Sequence, residues 1–265
     1  MMEFSIDFTK TAQENANHYF ESAKRSRKKA EGAGAAIKDL ESRLSKEMES
    51  KTPEKELRKL VKKEWYERFN WFLTSNGMLV IGGRSAQQNE EINSKYFIEK
   101  DLFFHADIFG ASLVLLKDGV DASMDIRNEA AQFAACFSRA WDGGSSSVDV
   151  YSLKRDQVSK SKEKGSLGTG SFLLSGEREW HRHMSLELAA FGSQEGHGGK
   201  VEKVSVTPLS TCKALETKKY LLLKPGRMKK SDAAKEISKA FKYDDLDYIM
   251  QHLPPGSFSI KRVLD

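Results

Sequence analysis

Residues 63–117, KEWYERFNWFLTSNGMLVIGGRSAQQNEEINSKYFIEKDLFFHADIFGASLVLLK, decide the fold. Phe72–Thr74 and Met78–Gly82 read as short strands joined by the turn formers Ser75, Asn76 and Gly77. Ala86–Phe97 reads as a helix with Ile92 and Tyr96 on one face. Asp101–Asp107 and Ala111–Leu116 then read as strands whose unbroken apolar runs mark coverage on both faces. Polar residues crowd the ends of these strands: Arg84, Gln87, Gln88, Asn89, His105 and Asp107. Hydrogen-bonding groups brought to one sheet edge suit a polyanion or nucleotide better than a hydrophobic ligand. Trp65, Tyr66, Phe69, Trp71 and Phe72 fall within eight residues. Aromatics at the i,i+4 spacing of Trp65 and Phe69 are more often core than stacking platforms.

On the N-terminal side, Phe4, Ile6 and Phe8 alternate with polar residues, the period of a short strand over Glu3–Phe8. Thr11 opens a long helical pattern whose thin apolar stripe includes Tyr19, Ala23, Ala30, Ile37, Leu40, Leu44 and Met48. Thr52-Pro53 restarts a second helix carrying Leu57, Leu60 and Val61. The two read as an antiparallel hairpin over residues 1–62, with a surface for self-association. On the C-terminal side, Met124–Ala140 is a predicted helix presenting Ala130, Phe133, Ala134 and Phe137 to a core. Val148–Leu153, Ser171–Ser175 and Arg178–Met184 read as strands, and Lys154–Gly170 as a basic loop. Phe191–Gly199, with four glycines, reads as a flexible connection. Strands at Lys203–Thr207 and Tyr220–Lys224, a helix at Ser231–Phe241 and a last strand follow. The predicted class is α+β, with a mixed, mostly antiparallel sheet and packed helices. The predicted organisation is a hairpin (1–62), an α+β domain (63–206) and a basic extension (207–265).

A 31% charged, 39% hydrophobic chain has an adequate but not generous core, and no apolar run approaches the ~20 residues needed to span a bilayer. A cytoplasmic protein is expected. Cys136 and Cys212 are too far apart in sequence for a disulfide framework or zinc knuckle. The net charge of +5 is unevenly spread: windows 24–29, 151–170 and 218–242 carry +5, +3 and +7, leaving −10 for the remainder. Such clustering is what a phosphate-binding surface requires, although solvated lysine-rich faces produce it too.

His105 and Asp107 share a strand face, as a ligand pair or an oriented histidine would; a structural histidine is the commoner case. His181 and His183 share a face as well, but a metal site needs further ligands. Gly82-Gly83-Arg84 lies between a strand and a helix, where backbone N–H groups can cradle an anion, yet it lacks a nucleotide-loop pattern. Arg84 is the first choice for a phosphate contact, with Gln88 and Asn89 one turn on. No hydrolytic triad is apparent, and no cofactor or metal is expected.

Trp65-Tyr66-Glu67-Arg68-Phe69, Ser75-Asn76-Gly77, Gly82-Gly83-Arg84-Ser85-Ala86-Gln87-Gln88-Asn89 and His105-Ala106-Asp107-Ile108-Phe109-Gly110-Ala111 occur in order. Together they resemble the central motifs of the NFACT-R domain of the NFACT, RqcH and NEMF ribosome-quality-control family, which includes the fibronectin-binding protein A-like proteins. The likeness continues at Gly170-Ser171-Phe172 and Gly176-Glu177-Arg178-Glu179-Trp180, where Glu177 and Glu179 replace residues expected to be basic and amide. It covers roughly Glu14–Val206. The resemblance implies a non-enzymatic RNA- and ribosome-binding module that acts on stalled large subunits carrying peptidyl-tRNA. In that family the complete protein recruits tRNA and supports template-free extension of the stalled chain, and its tRNA-selecting residues lie mainly in an N-terminal domain that is not expected within these residues. A fragment or reduced member, with part of the preceding coiled coil, is therefore expected. On this reading Arg84, Gln88, Asn89, His105, Lys117, Arg155, Lys162, Arg178 and Arg182 contact RNA. Two alternatives compete: a protein-docking domain using Leu40, Leu44 and Leu57 of the hairpin, and a small nucleotide-processing enzyme using His105 and Asp107.

Overall fold

The structure, a computed structural model, describes residues 5–49, 64–160, 168–195 and 201–264. The chain divides into two compact units, residues 1–62 and 63–265.

In the first unit, helix α1 (Ala12–Glu49) begins at a reciprocal cap. The Thr11 N–H and hydroxyl both donate to Glu14 Oε2 at 2.8 Å, and the Glu14 N–H returns to Thr11 Oγ1 at 3.3 Å. Gly32 and Gly34 do not interrupt the helix. Residues 5–8 form no strand, contrary to their alternation. A strand needs a neighbour, and here side chains of α1 take its place: the Tyr19 hydroxyl bonds both the N–H and C=O of Ser5, and Asn15 does the same for Asp7. The predicted second helix and Leu57 lie outside the described residues.

The second unit holds a six-stranded sheet built from β1 (Asn70–Leu73), β2 (Leu79–Gly82), β3 (Leu102–Ala106), β4 (Val114–Leu116), β5 (Ser147–Leu153) and β8 (Glu179–Ser185), in the order β1-β2-β4-β3-β5-β8. Every described pairing is antiparallel. Helix α2 (Ala86–Glu91) continues into a π-helical turn, and helices α3 (Met124–Cys136) and α4 (Arg139–Asp142) precede β5. A two-stranded ribbon, β6 (Val158–Ser159) with β7 (Leu173–Leu174), follows it.

The unbroken apolar runs of β3 and β4 are buried on both faces, as read from sequence. Phe72, Val80, Leu102, Phe104, Val114 and Leu116 point inward against Ala130, Phe133, Ala134 and Phe137. Trp71, Ile81, Phe103, Leu115, Tyr151 and Leu153 point outward, beneath Phe69, Ile92 and Phe97. The period-2 alternation of a strand assigns each residue to its side.

A second, four-stranded sheet is ordered β10-β9-β11-β12, from β9 (Leu188–Glu195), β10 (Val201–Pro208), β11 (Lys219–Met228) and β12 (Phe258–Leu264). Its Leu188, Ala190, Val204, Val206, Leu221 and Leu223 join the inner core together with Ala233, Ala234 and Ile237 of α6 (Lys230–Phe241). Helix α5 (Leu209–Ala214) links β10 to β11, and α7 (Leu246–His252) follows α6. Strand β9 corrects the expectation of a flexible connection starting at Phe191. Phe191 is buried and Gly192 pairs with Val204 beside a register shift, a place where a glycine inside a strand is tolerated. Buried Glu129 pins the β1–β2 turn to α3 and α5, accepting from the Ser75 N–H (2.8 Å) and from the Ser75 (2.5 Å) and Thr211 (2.9 Å) hydroxyls.

His252, at the end of α7, packs edge-on against Trp71, and its Nδ1–H donates to the Tyr248 carbonyl at 2.7 Å. Burial pushes its pKa from 6.5 down to about 4. The unfolded chain therefore binds this proton more readily than the folded one. The stabilisation is complete above pH 6.5 and drains away as pH falls towards 4, by on the order of 3 kcal/mol. Urea unfolding of the native chain and of His252→Phe at pH 7, 5.5 and 4 checks this. The native chain is expected to lose the additional stability and the variant not to; parallel pH profiles would refute it.

Candidate nucleic-acid interface

The outer face of the six-stranded sheet carries the aromatic layer of the molecule and most of its cation–ring contacts. Register sets three rings in a row across β3, β5 and β8, since His105 lies opposite Tyr151 and Tyr151 opposite Trp180. The ring centroids are 5.7 and 5.5 Å apart. Tyr151 Oη lies 3.3 Å from His105 Nδ1. Burial holds the His105 pKa below and the Tyr151 pKa above their ordinary values, so at neutral pH both rings are uncharged.

Two guanidiniums roof this row. The Arg178 guanidinium lies 4.4 Å from the Tyr151 ring centre and that of Arg182 4.0 Å from Trp180. Arg155 stands 5.0 Å over Phe97 and Arg68 4.8 Å over Phe69 on the same face. A bulge aims Arg182. Between the pairs Val148–Met184 and Val150–His181, Arg182 and His183 together oppose Asp149, and His183 takes the left-handed φ of +54°. The Asp149 carboxylate accepts from the His183 N–H and from Arg182 Nη1, both at 2.7 Å, and these bonds hold its pKa below the usual carboxylate range. Arg178 and Arg182 are exposed at the sheet edge, and among the described residues Arg178 has no ion-pair partner. Exposed guanidiniums over rings can clamp phosphates while a base stacks alongside.

The other sequence candidates are placed differently. The Arg84 guanidinium is anchored inward, donating from Nε to Asn70 Oδ1 (3.1 Å) and from Nη2 to the carbonyls of Phe69 (2.8 Å) and Gln251 (3.4 Å). Gln88 accepts the Arg84 N–H and donates to the Arg68 carbonyl, and Asn89 accepts the Leu113 N–H, so both amides serve the backbone. Lys117 is committed to the fully buried Asp101 (2.5 Å) and to the Tyr96 carbonyl (2.6 Å). Lys162 lies outside the described residues. Arg84 follows β2, and β8 is four strands further on, roughly 19 Å at ~4.8 Å per strand. The basic candidates thus do not converge beside the glycine turn; His105, Arg155, Arg178 and Arg182 share the outer face instead.

Trp65 is half-exposed and stacked on Tyr96, whereas Phe69, Trp71 and Phe72 are core. His105 pairs with Tyr151 rather than Asp107, and His181 is buried between Asn128 and Ser152. Among the described residues no three His, Cys, Asp or Glu side chains are placed to hold a metal ion. Glu179, the departure from the family pattern, turns inward to Arg127 at 3.0 Å and does not enter the ring row. Tyr151, Trp180 and Asp149 escaped the sequence reading. The i, i+2, i+4 spacing of Arg178, Trp180 and Arg182 was the available signal, because on a strand it sets all three on one face.

Residues 68–176 match the family model described as the NFACT protein RNA binding domain. The matched segment is an NFACT-R domain. It holds His105, Tyr151 and Arg155, and Arg178, Trp180 and Arg182 lie just past its end. The chain is 39% identical over 212 residues to the archaeal Rqc2 homolog aRqcH of Methanocaldococcus jannaschii, a match spanning 77% of the chain and 31% of that protein. It is 33% identical to the ribosome quality control complex subunit NEMF homolog of Drosophila melanogaster (69% of the chain, 20% of that protein). Against the human subunit NEMF it is 34% identical (64% of the chain, 16% of that protein). The NFACT-R chain therefore spans less than a third of the length of these curated relatives.

Proposed function

We propose that the chain binds RNA on the outer face of its six-stranded sheet, with Arg155, Arg178 and Arg182 meeting phosphates and the partly exposed Trp180 and His105 meeting bases over the buried Tyr151. In this reading it works without catalysing a reaction, in the cytoplasm, on large ribosomal subunits that carry stalled peptidyl-tRNA. The supporting observation is the His105–Tyr151–Trp180 row beneath two guanidiniums, within and just past a segment that matches an RNA binding domain. Sequence-tolerant stacking joined to charge is the chemistry of single-stranded nucleic-acid platforms. Relatives named as ribosome quality control subunits supply the ribosomal setting.

Co-sedimentation with purified large ribosomal subunits across a salt titration, with ultraviolet crosslinks mapped to residues, tests both parts. Association is expected to fall steeply with salt, and crosslinks to appear at Trp180. Salt-indifferent association with crosslinks confined to α1 would reject the reading in favour of protein docking.

A further inference from the structure

The glycine turn after β2 borders a second feature, separate from the ring row. A cleft of ≈ 510 Å³ lies between this turn and helices α6 and α7. Two cations line it, Arg84 and Lys230, and each is held from behind. Arg84 spends Nε and Nη2 on Asn70, Phe69 and Gln251, which leaves both N–H groups of Nη1. Lys230 donates once, to the Leu253 carbonyl at 2.8 Å, which leaves two N–H groups on its ammonium. Among the described residues neither has a carboxylate within ion-pair distance. The wall contains one acid, the exposed Asp247. Burial depresses the pKa of both cations, and Lys230 is depressed further by Arg84.

Two like charges anchored in a half-dry cleft oppose each other, and an anion between them relieves that repulsion. The free donors come from two directions, one pair from each side chain. With Nε and Nη2 spent, the guanidinium lacks the two-nitrogen fork that suits a planar carboxylate. A tetrahedral phosphate has oxygens for both. Beyond the cations the lining is part polar, with Ser112, Gln251 and Asp247, and part apolar, with Phe137, Met250, Leu253 and Pro255. We propose that this cleft binds the phosphate group of a nucleotide between Arg84 and Lys230, with the nucleoside against Met250 and Leu253. The phosphate could belong to an RNA strand, which would deepen the RNA-binding reading, or to a free nucleotide, which stands apart from it.

The test titrates inorganic phosphate, AMP and a single-stranded RNA 12-mer into the full chain. The Met250 methyl resonance and the melting temperature are followed. AMP is expected to move both, and phosphate to raise melting more weakly. Lys230→Gln should weaken AMP binding roughly tenfold or more, the loss of a charged hydrogen bond. Asp247→Asn should strengthen it, an opposite sign that no folding defect can mimic. RNA that moves Met250 and competes with AMP assigns the phosphate to a strand; RNA that leaves Met250 unmoved assigns it to a free nucleotide. The proposal is overturned if none of the three ligands moves Met250, or if natively melting Lys230→Gln binds AMP as the parent does. AMP binding that survives Arg178→Glu with Arg182→Glu, where RNA binding is lost, separates this site from the outer face.

Discussion

Reversing Arg178 and Arg182 together to glutamate is expected to cost about a hundredfold in affinity for single-stranded RNA near 0.1 M salt. Both guanidiniums sit over rings at the exposed sheet edge, so the change removes two phosphate donors and their cation–ring contacts, and sets two acids beside the bound strand. Each lost phosphate contact lowers the log–log salt slope by roughly 0.7 for a single strand, so the slope should flatten by about 1.4. Fluorescence anisotropy at several salt concentrations measures both quantities. Weakened binding with an unchanged slope would mean that the arginines act through the fold rather than on phosphate. Replacing Asp149 by alanine should give a smaller loss of the same kind, since it frees Arg182 from its clamp without removing its charge.

Replacing Asp101 by alanine is expected to destabilise the domain by about 3–5 kcal/mol without touching the RNA face. The carboxylate is fully buried and accepts from the Lys117 ammonium at 2.5 Å and from the N–H groups of Ile98 and Asp118, both at 2.9 Å. Without it a largely buried cation loses its counter-charge and two backbone donors lose their acceptor. Urea unfolding gives the loss. Lys117→Met should also destabilise, while the RNA affinity of the folded protein stays at the parental value. Weaker RNA binding at full stability would return Lys117 to the nucleic-acid contacts.

These two predictions divide what local sequence pattern can reach from what it cannot. Periodicity located β3, β4 and α3, and the coverage of β3 and β4 on both faces, because unbroken apolar runs report burial directly. It placed Arg178 and Arg182 among the RNA contacts from residue type and resemblance. Lys117 and Gln88 looked equally suitable by type. What removes them is hydrogen bonding to Asp101, Tyr96, Arg84 and Arg68, partners up to 21 residues away that no local pattern encodes. The clamp on Arg182 depends on an extra residue in one strand, a register event visible only once β5 and β8 are paired. Strand β9 was missed because glycines signal turns in isolation, whereas here Gly192 is paired with Val204 of the neighbouring β10.

Strand β8 ends its sheet, with β5 on one side and no strand on the other among the described residues. Such a margin invites a second molecule to continue the ladder, the first step of ordered aggregation. Arg182, the exposed His183 and the kink they form with Asp149 make that margin repulsive and crooked. The side chains suited to an RNA strand therefore also keep copies of the protein apart, and neutral replacements there should sacrifice colloidal stability along with affinity.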